Sequence, residues 1–237
     1  MSEWTFERAG EFLRKGRWFA QQPEDFCIAV LSRSEIRTYE AHQRICHNGD
    51  PPSGVYAVLE GQVNLVAERE PGASLFYNFL EPGSWFGQGN CLDREPFLLD
   101  AVAAHRTVVL HFPLSAFDAV LEESPAYYRC WALILTEAYR TTLGQYLDSK
   151  TFEARRRVNQ ELLMLATRVG QPCGDNGVRL KVKLTQSDFA SLVGVTRQYA
   201  SRFIGELRAA GVLEWRGSMI SVKDVSRLSE MAGLPVN

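Results

Sequence analysis

The chain has 237 residues, of which 46% are hydrophobic and 23% are charged, and its formal net charge is -2. This composition excludes collagen-like and low-complexity proteins, and the length indicates one or two globular domains. No stretch has the roughly 18 consecutive apolar residues of a membrane span, and the first residues lack the apolar core of a signal peptide. We therefore predict a cytoplasmic protein without a membrane partner.

The charges and the cysteines narrow the function further. Residues 1–150 contain 13 basic and 20 acidic residues, whereas residues 151–222 contain 11 basic and six acidic ones. A basic C-terminal part favours a polyanionic partner there. The five cysteines are widely spaced and no CxxC motif occurs, which argues against zinc or iron–sulfur sites and favours reduced, mostly buried thiols.

The N-terminal part changes from short helices to short strands. Residues 10–34 have the pattern of short helical pieces, and Pro23 can open one of them. Residues 34–112 contain segments rich in β-branched and aromatic residues, which predict a sandwich or an antiparallel barrel. The dipeptides between these segments are typical of turns: Asn48-Gly49, Glu60-Gly61, Pro71-Gly72 and Pro82-Gly83. The turn at Glu60-Gly61 lies between two alternating segments and predicts a β-hairpin.

A long amphipathic helix is predicted after the strands. Ser124 can cap it, Pro125 suits its first position and Gly144 is the next strong break signal, so the helix has about 20 residues or more. Its apolar seam favours pairing with a second copy of the chain, with packing on its own barrel as the alternative. The predicted dimerisation residues are Tyr128, Trp131, Leu135, Ala138 and Thr142. The predicted regions are 1–122 for a β-rich effector domain, 123–150 for the long helix and 151–237 for the last domain.

The last domain contains the most informative segment, "LTQSDFASLVGVTRQYASRFIGELRAAGVLEWRGSMISV". Thr185 and Asp188 form a capping box that starts one helix, and Gly194 ends that helix in a tight turn. Thr196 caps a second helix, which Gly211 terminates. The segments "VLEW" and "MISV" follow as a small hairpin. Two helices joined by a short turn and followed by a hairpin predict a winged helix-turn-helix.

The polar residues at the start of these two helices are candidates for contacts with double-stranded DNA. The candidate residues are Thr185, Gln186, Thr196, Arg197, Gln198, Ser201 and Arg202. An arginine can bind guanine through two hydrogen bonds, a glutamine can do the same with adenine, and hydroxyls suit phosphates. We expect the second helix to meet base edges in the major groove. The alternative is a winged helix that binds a protein instead of DNA.

An enzyme is the third class of function, and the sequence gives it little support. We find no GxSxG, no phosphate-binding loop and no HExxH motif. The segment "GSWFGQG" precedes a predicted strand instead of a helix, so it does not match a dinucleotide-binding turn. The sequence therefore predicts a regulator and not an enzyme.

The order of "HNGD", "YAVLEGQV", a long helix and the helix-turn-helix segment resembles the Crp/Fnr family of bacterial transcription regulators. The resemblance implies an α+β chain with an N-terminal antiparallel β jelly roll of the cyclic-nucleotide-binding type, a long central dimerisation helix and a C-terminal winged helix-turn-helix. It also implies a homodimer on a partly palindromic operator and, for activators, contact with RNA polymerase. By position, Arg197, Gln198 and Arg202 match the family's base- and phosphate-contacting residues, with Gln198 where glutamate is common.

The same resemblance makes residues 83–104, which we call the cassette segment, the counterpart of the family's phosphate-binding cassette. Phe97 and Leu98 stand where an arginine and a serine would hold the phosphate, and Gln88 replaces the glutamate that meets the ribose. Arg94 lies nearby in a turn where we expect it to be solvated. Because a buried phosphodiester needs a cation or several N–H donors, cyclic AMP is disfavoured as the effector.

The identity of the effector stays open, and no cofactor is predicted. The candidate pocket residues are Trp85, Phe86, Gly87, Gln88, Asn90, Phe97 and Leu98. An apolar or aromatic effector fits them best, and a packed scaffold without any ligand is the main alternative. Haem bound by a histidine is a weaker alternative, with the candidates His42, His47, His105 and His111. A redox switch at Cys46, Cys91 or Cys130 is another, although no nearby residue would lower a thiol pKa.

Overall fold

The computed structural model describes residues 4–70 and 73–233, so the predicted turn at Pro71-Gly72 lies outside the described residues. The chain divides into two compact units, Met1–Thr141 and Thr142–Asn237. In the first unit, α1 (Phe6–Leu13) and α2 (Glu24–Ser32) flank a short 3-10 helix at Phe19–Gln21. Pro23 is the N-cap of α2, as the sequence predicts. No helix in the described part of the chain is long and apolar enough to cross a membrane.

The β-rich part of the first unit is a roll of two four-stranded antiparallel sheets. Its strands are β1 (Glu35–Tyr39), β2 (Arg44–Cys46), β3 (Gly54–Glu60), β4 (Val63–Glu70), β5 (Ala73–Leu80), β6 (Trp85–Phe86), β7 (Asp100–Ala103) and β8 (Thr107–Pro113). One sheet has the order β1-β8-β3-β6 and the other has the order β2-β7-β4-β5. A short helix, α3 (Gln88–Asp93), connects β6 to the segment before β7. The predicted β jelly roll is confirmed.

The predicted hairpin at Glu60-Gly61 is wrong, although the turn itself is present. β3 pairs with β6 and β8, whereas β4 pairs with β5 and β7, so the two strands belong to opposite sheets. Gly61 has a φ of +94°, and a Cβ at this position would lie 2.5 Å from Thr107 Oγ1. Alternating apolar residues with a turn signal between them do not show whether the second strand pairs with the first or crosses to the facing sheet.

Two apolar clusters stabilise the first unit. One lies between the two sheets and contains Tyr56, Val58, Phe86, Phe97 and Val109. The other joins the β1-β8-β3-β6 sheet to the helices. Its centre is a group of aromatic rings: Trp18, Phe19, Phe26, Trp85, Phe112, Phe117, Tyr127 and Trp131. Large aromatic side chains each bury much apolar area and pack in stacked, tilted or edge-on arrangements, so this group fixes the helices on the roll.

The long helix, α5 (Tyr127–Thr151), follows α4 (Leu114–Glu123). Its 25 residues agree with the predicted length of about 20 residues or more, and Gly144 lies inside the helix. Ser124, the predicted cap of this helix, is the C-cap of α4. A turn at residues 125–126 precedes the first helical residue, in place of Pro125 at that position. A glycine inside a helix costs only about 1 kcal/mol, which the 25 residues of α5 tolerate.

The second unit contains α6 (Ala154–Val169), α7 (Gln186–Val193), α8 (Arg197–Ala209) and α9 (Val225–Ala232). A four-stranded antiparallel sheet accompanies these helices, with the strands β9 (Gly170–Pro172), β10 (Val178–Leu180), β11 (Leu213–Arg216) and β12 (Met219–Val222). The strand order is β11-β12-β10-β9. The hairpin of β11 and β12 follows α7 and α8 directly, which confirms the predicted winged helix-turn-helix.

Candidate functional site

Local hydrogen bonds fix the two helices of the helix-turn-helix. The Thr185 hydroxyl accepts from the Asp188 N–H at 3.1 Å, and the Asp188 carboxylate accepts from the Thr185 N–H at 3.0 Å. Gly194 ends α7 in the left-handed conformation, with a φ of +69°. The Thr196 hydroxyl accepts from the Tyr199 N–H at 3.2 Å and starts α8. The capping box, the turn glycine and the second cap are thus confirmed.

The helix α8 has one buried and one exposed face. Ala200, Phe203, Ile204 and Leu207 are buried, which leaves the polar residues of the first turns on the outside. The exposed candidates are Thr185, Thr196, Arg197, Gln198, Ser201 and Arg202, whereas Gln186 is half-buried. Within the described part of the chain, Arg197 and Gln198 make no side-chain hydrogen bond or ion pair. The exposed face of α8 therefore offers unpaired donors and acceptors to a ligand.

One carboxylate on α8 connects it to α6, a link that the sequence did not predict. Glu206 Oε2 lies 2.5 Å from Arg155 Nη2, and Glu206 Oε1 lies 4.0 Å from Arg202 Nε. The Arg155 guanidinium carbon lies 4.5 Å from the ring centroid of Phe203. The spacing of Arg202 and Glu206 along one helix is a signal for their pairing. The contribution of Arg155 has no such signal, because it comes from another helix.

Arg157 is a second functional candidate that the sequence did not reveal. Its guanidinium donates to the backbone oxygens of Phe152, Val193 and Gly194, at 2.8, 3.4 and 3.3 Å. Val193 and Gly194 form the C-terminal end of α7, where unpaired carbonyl groups favour a nearby cation. Arg157 therefore ties the segment before α6 to the turn of the helix-turn-helix.

The hairpin of β11 and β12 carries basic groups beside α8. Glu214 Oε2 lies 2.7 Å from Lys223 Nζ, and Glu214 Oε1 lies 2.8 Å from Arg216 Nη2. The hydrogen bond from Lys223 and the charges of Lys223 and Arg216 lower the pKa of Glu214. The Trp215 indole N–H donates to the Gly217 oxygen at 3.0 Å, and the Trp215 ring packs edge-on against Phe189. The wing is thus held to the helices by an apolar contact and keeps its charges outside.

The cassette segment contrasts with α8, because most of its predicted residues lie inside the chain. Phe86 and Phe97 belong to the cluster between the two sheets, where Phe86 stacks on Tyr56 with ring centroids 4.9 Å apart. Trp85 belongs to the other cluster and packs on Trp18 and Phe19. The seven predicted pocket residues therefore do not line one cavity, since alternate strand residues point to opposite faces of a sheet.

The remaining cassette residues have separate roles. Leu98 is 77% exposed, unlike its neighbour Phe97, and its role in a pocket stays a prediction. The Asn90 amide donates to the oxygens of Glu95 and Pro96, which closes the turn after α3. Gly87 has a φ of +86°, and a Cβ there would lie 2.6 Å from the Gly54 oxygen. Arg94 is exposed and pairs with Asp118, in agreement with the expectation that it is solvated.

Gln88 is a buried polar side chain of the cassette segment at the start of α3. It is 6% exposed, and its Oε1 atom has no hydrogen-bond partner among the described residues. A Cβ atom added to the next residue, Gly89, would lie 3.7 Å from Leu135 Cδ2 of α5. The cassette helix α3 is therefore in contact with the long helix.

The thiols of the first unit are buried, whereas its histidines differ: His42 and His47 are exposed, His105 is half-buried and His111 is buried. Cys27, Cys46, Cys91 and Cys130 are buried, and Cys173 is the exposed thiol of the chain. Burial raises the pKa of Cys46 and of Cys91 to about 12 and also raises the pKa of Cys130, which disfavours their thiolates. His111 is buried against Tyr56, and burial lowers its pKa.

The predicted dimerisation residues do not share one environment. Trp131 is fully buried in the aromatic group of the first unit. Its prediction as a dimer contact is therefore wrong, because a side chain without exposed area cannot touch a second chain. Tyr128, Ala138 and Thr142 are exposed and Leu135 is half-buried. Tyr139 is 65% exposed and lies on the same face of α5 as Tyr128 and Leu135.

Comparisons with known proteins agree with this architecture. The model of the cyclic nucleotide-binding domain matches residues 36–124, and the model of the Crp-like helix-turn-helix domain matches residues 156–231. The chain is 29% identical to the global nitrogen regulator of Nostoc sp. over 202 residues, which cover 82% of this chain and 87% of that protein. It is 28% identical to the cyclic AMP receptor protein of Thermus thermophilus over 211 residues, which cover 89% of this chain and 93% of that protein.

A solved structure gives the same result. The crystal structure of a CRP/FNR-family transcriptional regulator from Thermus thermophilus superposes with a TM-score of 0.68 and 25% sequence identity. The superposition covers 84% of this chain and 98% of that chain. The roll, the long helix and the winged helix-turn-helix thus occur together and in the same order in known regulators. The chain is a DNA-binding transcription regulator of the Crp/Fnr family.

Proposed function

We propose that this regulator binds specific duplex DNA sequences as a homodimer through α8, and that cyclic AMP in the usual binding mode of the family is not its effector. The observation that carries the DNA-binding part is the exposed face of α8, where Arg197 and Gln198 are free of partners within the described chain. Such side chains reach base edges when the helix lies in the major groove.

The charges around this face support the proposal. Arg202 is 71% exposed, and Lys181 and Lys183 lie exposed just before α7. Contacts of basic side chains with phosphates supply most of the affinity for DNA of any sequence, and contacts with base edges add the specificity. The first turns of α7 and α8 also present N–H groups that can bind a phosphate.

The homodimer is proposed from the apolar face of α5 that exposed Tyr128, half-buried Leu135 and exposed Tyr139 form. Tyr128, Leu135 and Tyr139 follow one another at spacings of seven and four residues, with Ala132 between the first two. This alternation of four and three residues is the pattern of a helix that pairs with a copy of itself. This face is rotated about the axis of α5 from the one that the sequence predicts, because Trp131 is buried in the first unit of its own chain. A two-fold dimer places two recognition helices in successive major grooves, about 34–36 Å apart.

The proposal about cyclic AMP depends on Phe97. This residue occupies the position at which the family resemblance places the phosphate-binding arginine, and its ring is packed among apolar side chains between the sheets. A phosphodiester beside Phe97 would lack the cation that the family's arginine supplies, and a buried phosphate needs a cation or several N–H donors. Contact with RNA polymerase remains a prediction that rests on the family resemblance.

The DNA-binding proposal is tested by selecting duplexes from a randomised library with the full-length protein. We expect enrichment of a partly palindromic sequence, with half-sites about one helical turn apart. Binding of the selected duplex, measured by fluorescence anisotropy, should weaken steeply as salt increases. Failure to enrich any sequence, with only salt-insensitive binding, would contradict the proposal.

The dimer is tested by sedimentation of two variants. Tyr139→Glu should shift the protein towards the monomer, because it places a charge on the proposed pairing face. Leu133→Glu is the matched control, since Leu133 is also an exposed apolar residue of α5 but lies about 120° around the helix from Tyr139. Equal dissociation by both variants, or by neither, would contradict this pairing face.

A further inference from the structure

The ion pairs of Glu206 have a consequence for how α8 presents its arginines. Two basic side chains from different helices approach this one carboxylate, Arg155 of α6 and Arg202 of α8. Arg155 Nη2 is in close hydrogen-bonding contact with Glu206 Oε2 at 2.5 Å, whereas Arg202 Nε lies 4.0 Å from Glu206 Oε1. The carboxylate is therefore directed mainly at Arg155, and Arg202 lies at the limit of an ion pair.

The position of Arg155 is itself fixed by packing. Its guanidinium lies over the ring of Phe203, with the carbon 4.5 Å from the centroid, and Phe203 is buried. A cation over an aromatic face is attracted by the ring, so Arg155 has two reasons to remain beside Glu206. Arg202 has no comparable restraint, since its side chain is 71% exposed and its guanidinium carbon lies 5.5 Å from the Tyr199 ring centroid.

Removal of Arg155 would leave Glu206 with one remaining basic neighbour. Arg202 and Glu206 are four residues apart on α8, a spacing at which side chains of opposite charge meet on the helix surface. An arginine engaged by its own helix in this way must break that contact before it can bind DNA.

We propose that Glu206 competes with DNA for Arg202, and that Arg155 is a positioning residue that holds the carboxylate and keeps Arg202 available. This inference rests on the proposed function, because it requires that Arg202 faces DNA. It assigns to Arg155 an effect on binding that acts through Glu206 and does not require contact with DNA.

The test is a double-mutant cycle with the duplex that the full-length protein selects. Arg155→Gln should weaken binding by about two- to fivefold, the range that corresponds to one exposed ion pair. In the Glu206→Gln background the same substitution should have no effect, because the competitor is gone. It should likewise have no effect in the Arg202→Ala background. Arg155→Lys should retain most of the wild-type affinity, because it keeps a cation beside Glu206.

A matched control separates this mechanism from a general loss of positive charge. Arg208 is an exposed arginine of the same helix and has no ion pair among the described residues. We expect that Arg208→Gln changes affinity equally in the wild-type and Glu206→Gln backgrounds. Thermal unfolding of each variant shows whether the fold is retained, and equal melting temperatures in the single and double variants support an effect on binding alone.

Three results would overturn the inference. The first is an equal loss of affinity for Arg155→Gln with and without Glu206, which would mean that Arg155 touches DNA or only supports the fold. The second is no loss in the wild-type background, and the third is an unchanged loss in the Arg202→Ala background. Absence of any selected duplex for the wild-type protein is a different result, since it contradicts the proposed function itself.

Discussion

The cassette segment of the first unit and the recognition helix of the second differ in where their predicted site residues point. Phe86, Gln88 and Phe97 are buried within the chain, whereas Arg197 and Gln198 are exposed and unpaired in the described part of the protein. A substitution in the first group therefore acts on the free energy of unfolding. A substitution in the second group acts on DNA binding. Measurements of stability and of affinity can therefore distinguish substitutions in the two regions.

The largest effect is expected inside the roll. Phe97→Ala should lower the free energy of unfolding by about 3–5 kcal/mol, because it removes a buried ring and leaves a cavity between the sheets. Leu98→Ala is the adjacent control and should change it by less than about 0.5 kcal/mol, since Leu98 is exposed. Urea unfolding followed by circular dichroism measures both. Similar values for the two variants would remove the contrast between buried and exposed cassette residues.

A smaller effect, on DNA affinity and not on stability, is expected from a substitution in α8. Arg197→Ala should weaken binding to the selected duplex by about 1–3 kcal/mol and relax specificity at one base pair. Its melting temperature should stay close to that of the wild-type protein, because Arg197 is exposed and has no partner in the described chain. Anisotropy titrations with single-base variants of the duplex provide the measurement. Unchanged affinity would remove Arg197 from the DNA-contacting face.

We expect the stability of the folded protein to depend modestly on pH through His111 of the roll, and not through the DNA-binding face. Burial, together with the charge of Arg37, lowers the pKa of His111 below its value of about 6.5 in an unfolded chain. The unfolded state therefore binds a proton more readily, so the stability of the folded protein falls as the pH decreases below about 6.5.

Urea unfolding at pH 7.5 and pH 5.5 tests this for the wild-type protein and His111→Gln. The pH dependence should be smaller in the variant than in the wild-type protein, because the buried imidazole is removed. A steeper dependence in His111→Gln would contradict the assignment.

The smallest effect is expected from cyclic AMP. A ligand raises the melting temperature only when it binds the folded state, and Phe97 leaves no cation for the phosphate at its position. Millimolar cyclic AMP should therefore leave the melting temperature unchanged in a thermal shift assay. A rise of several degrees would show that the roll binds the nucleotide by other groups and would break the contrast between the two regions.

Local signals made the second unit predictable from the sequence. Thr185, Asp188, Gly194 and Thr196 each act through hydrogen bonds or backbone conformation within a few residues. The alternation of buried and exposed residues on α8 follows from the helical period. The sequence could not reveal the contact of Arg155 with Glu206, because it joins positions 51 residues apart in the chain.

The first unit was harder to predict because its side chains contact residues that are far away in the sequence. Trp131 has the spacing of a dimer contact, yet it packs on Trp18 and Phe26 of the N-terminal helices. β3 and β4 are adjacent in sequence but belong to opposite sheets. Aromatic residues at regular spacing indicate a buried face, and they do not indicate whether another chain or another part of the same chain covers it.

The distribution of the cysteines makes the native protein suited to site-specific labelling. Four thiols are buried, and burial raises the pKa of several of them, whereas Cys173 is exposed in the loop between β9 and β10. A maleimide dye should therefore react first at Cys173 without any engineering of the chain. A fluorophore at this position would report on the DNA-binding unit while leaving the roll unmodified.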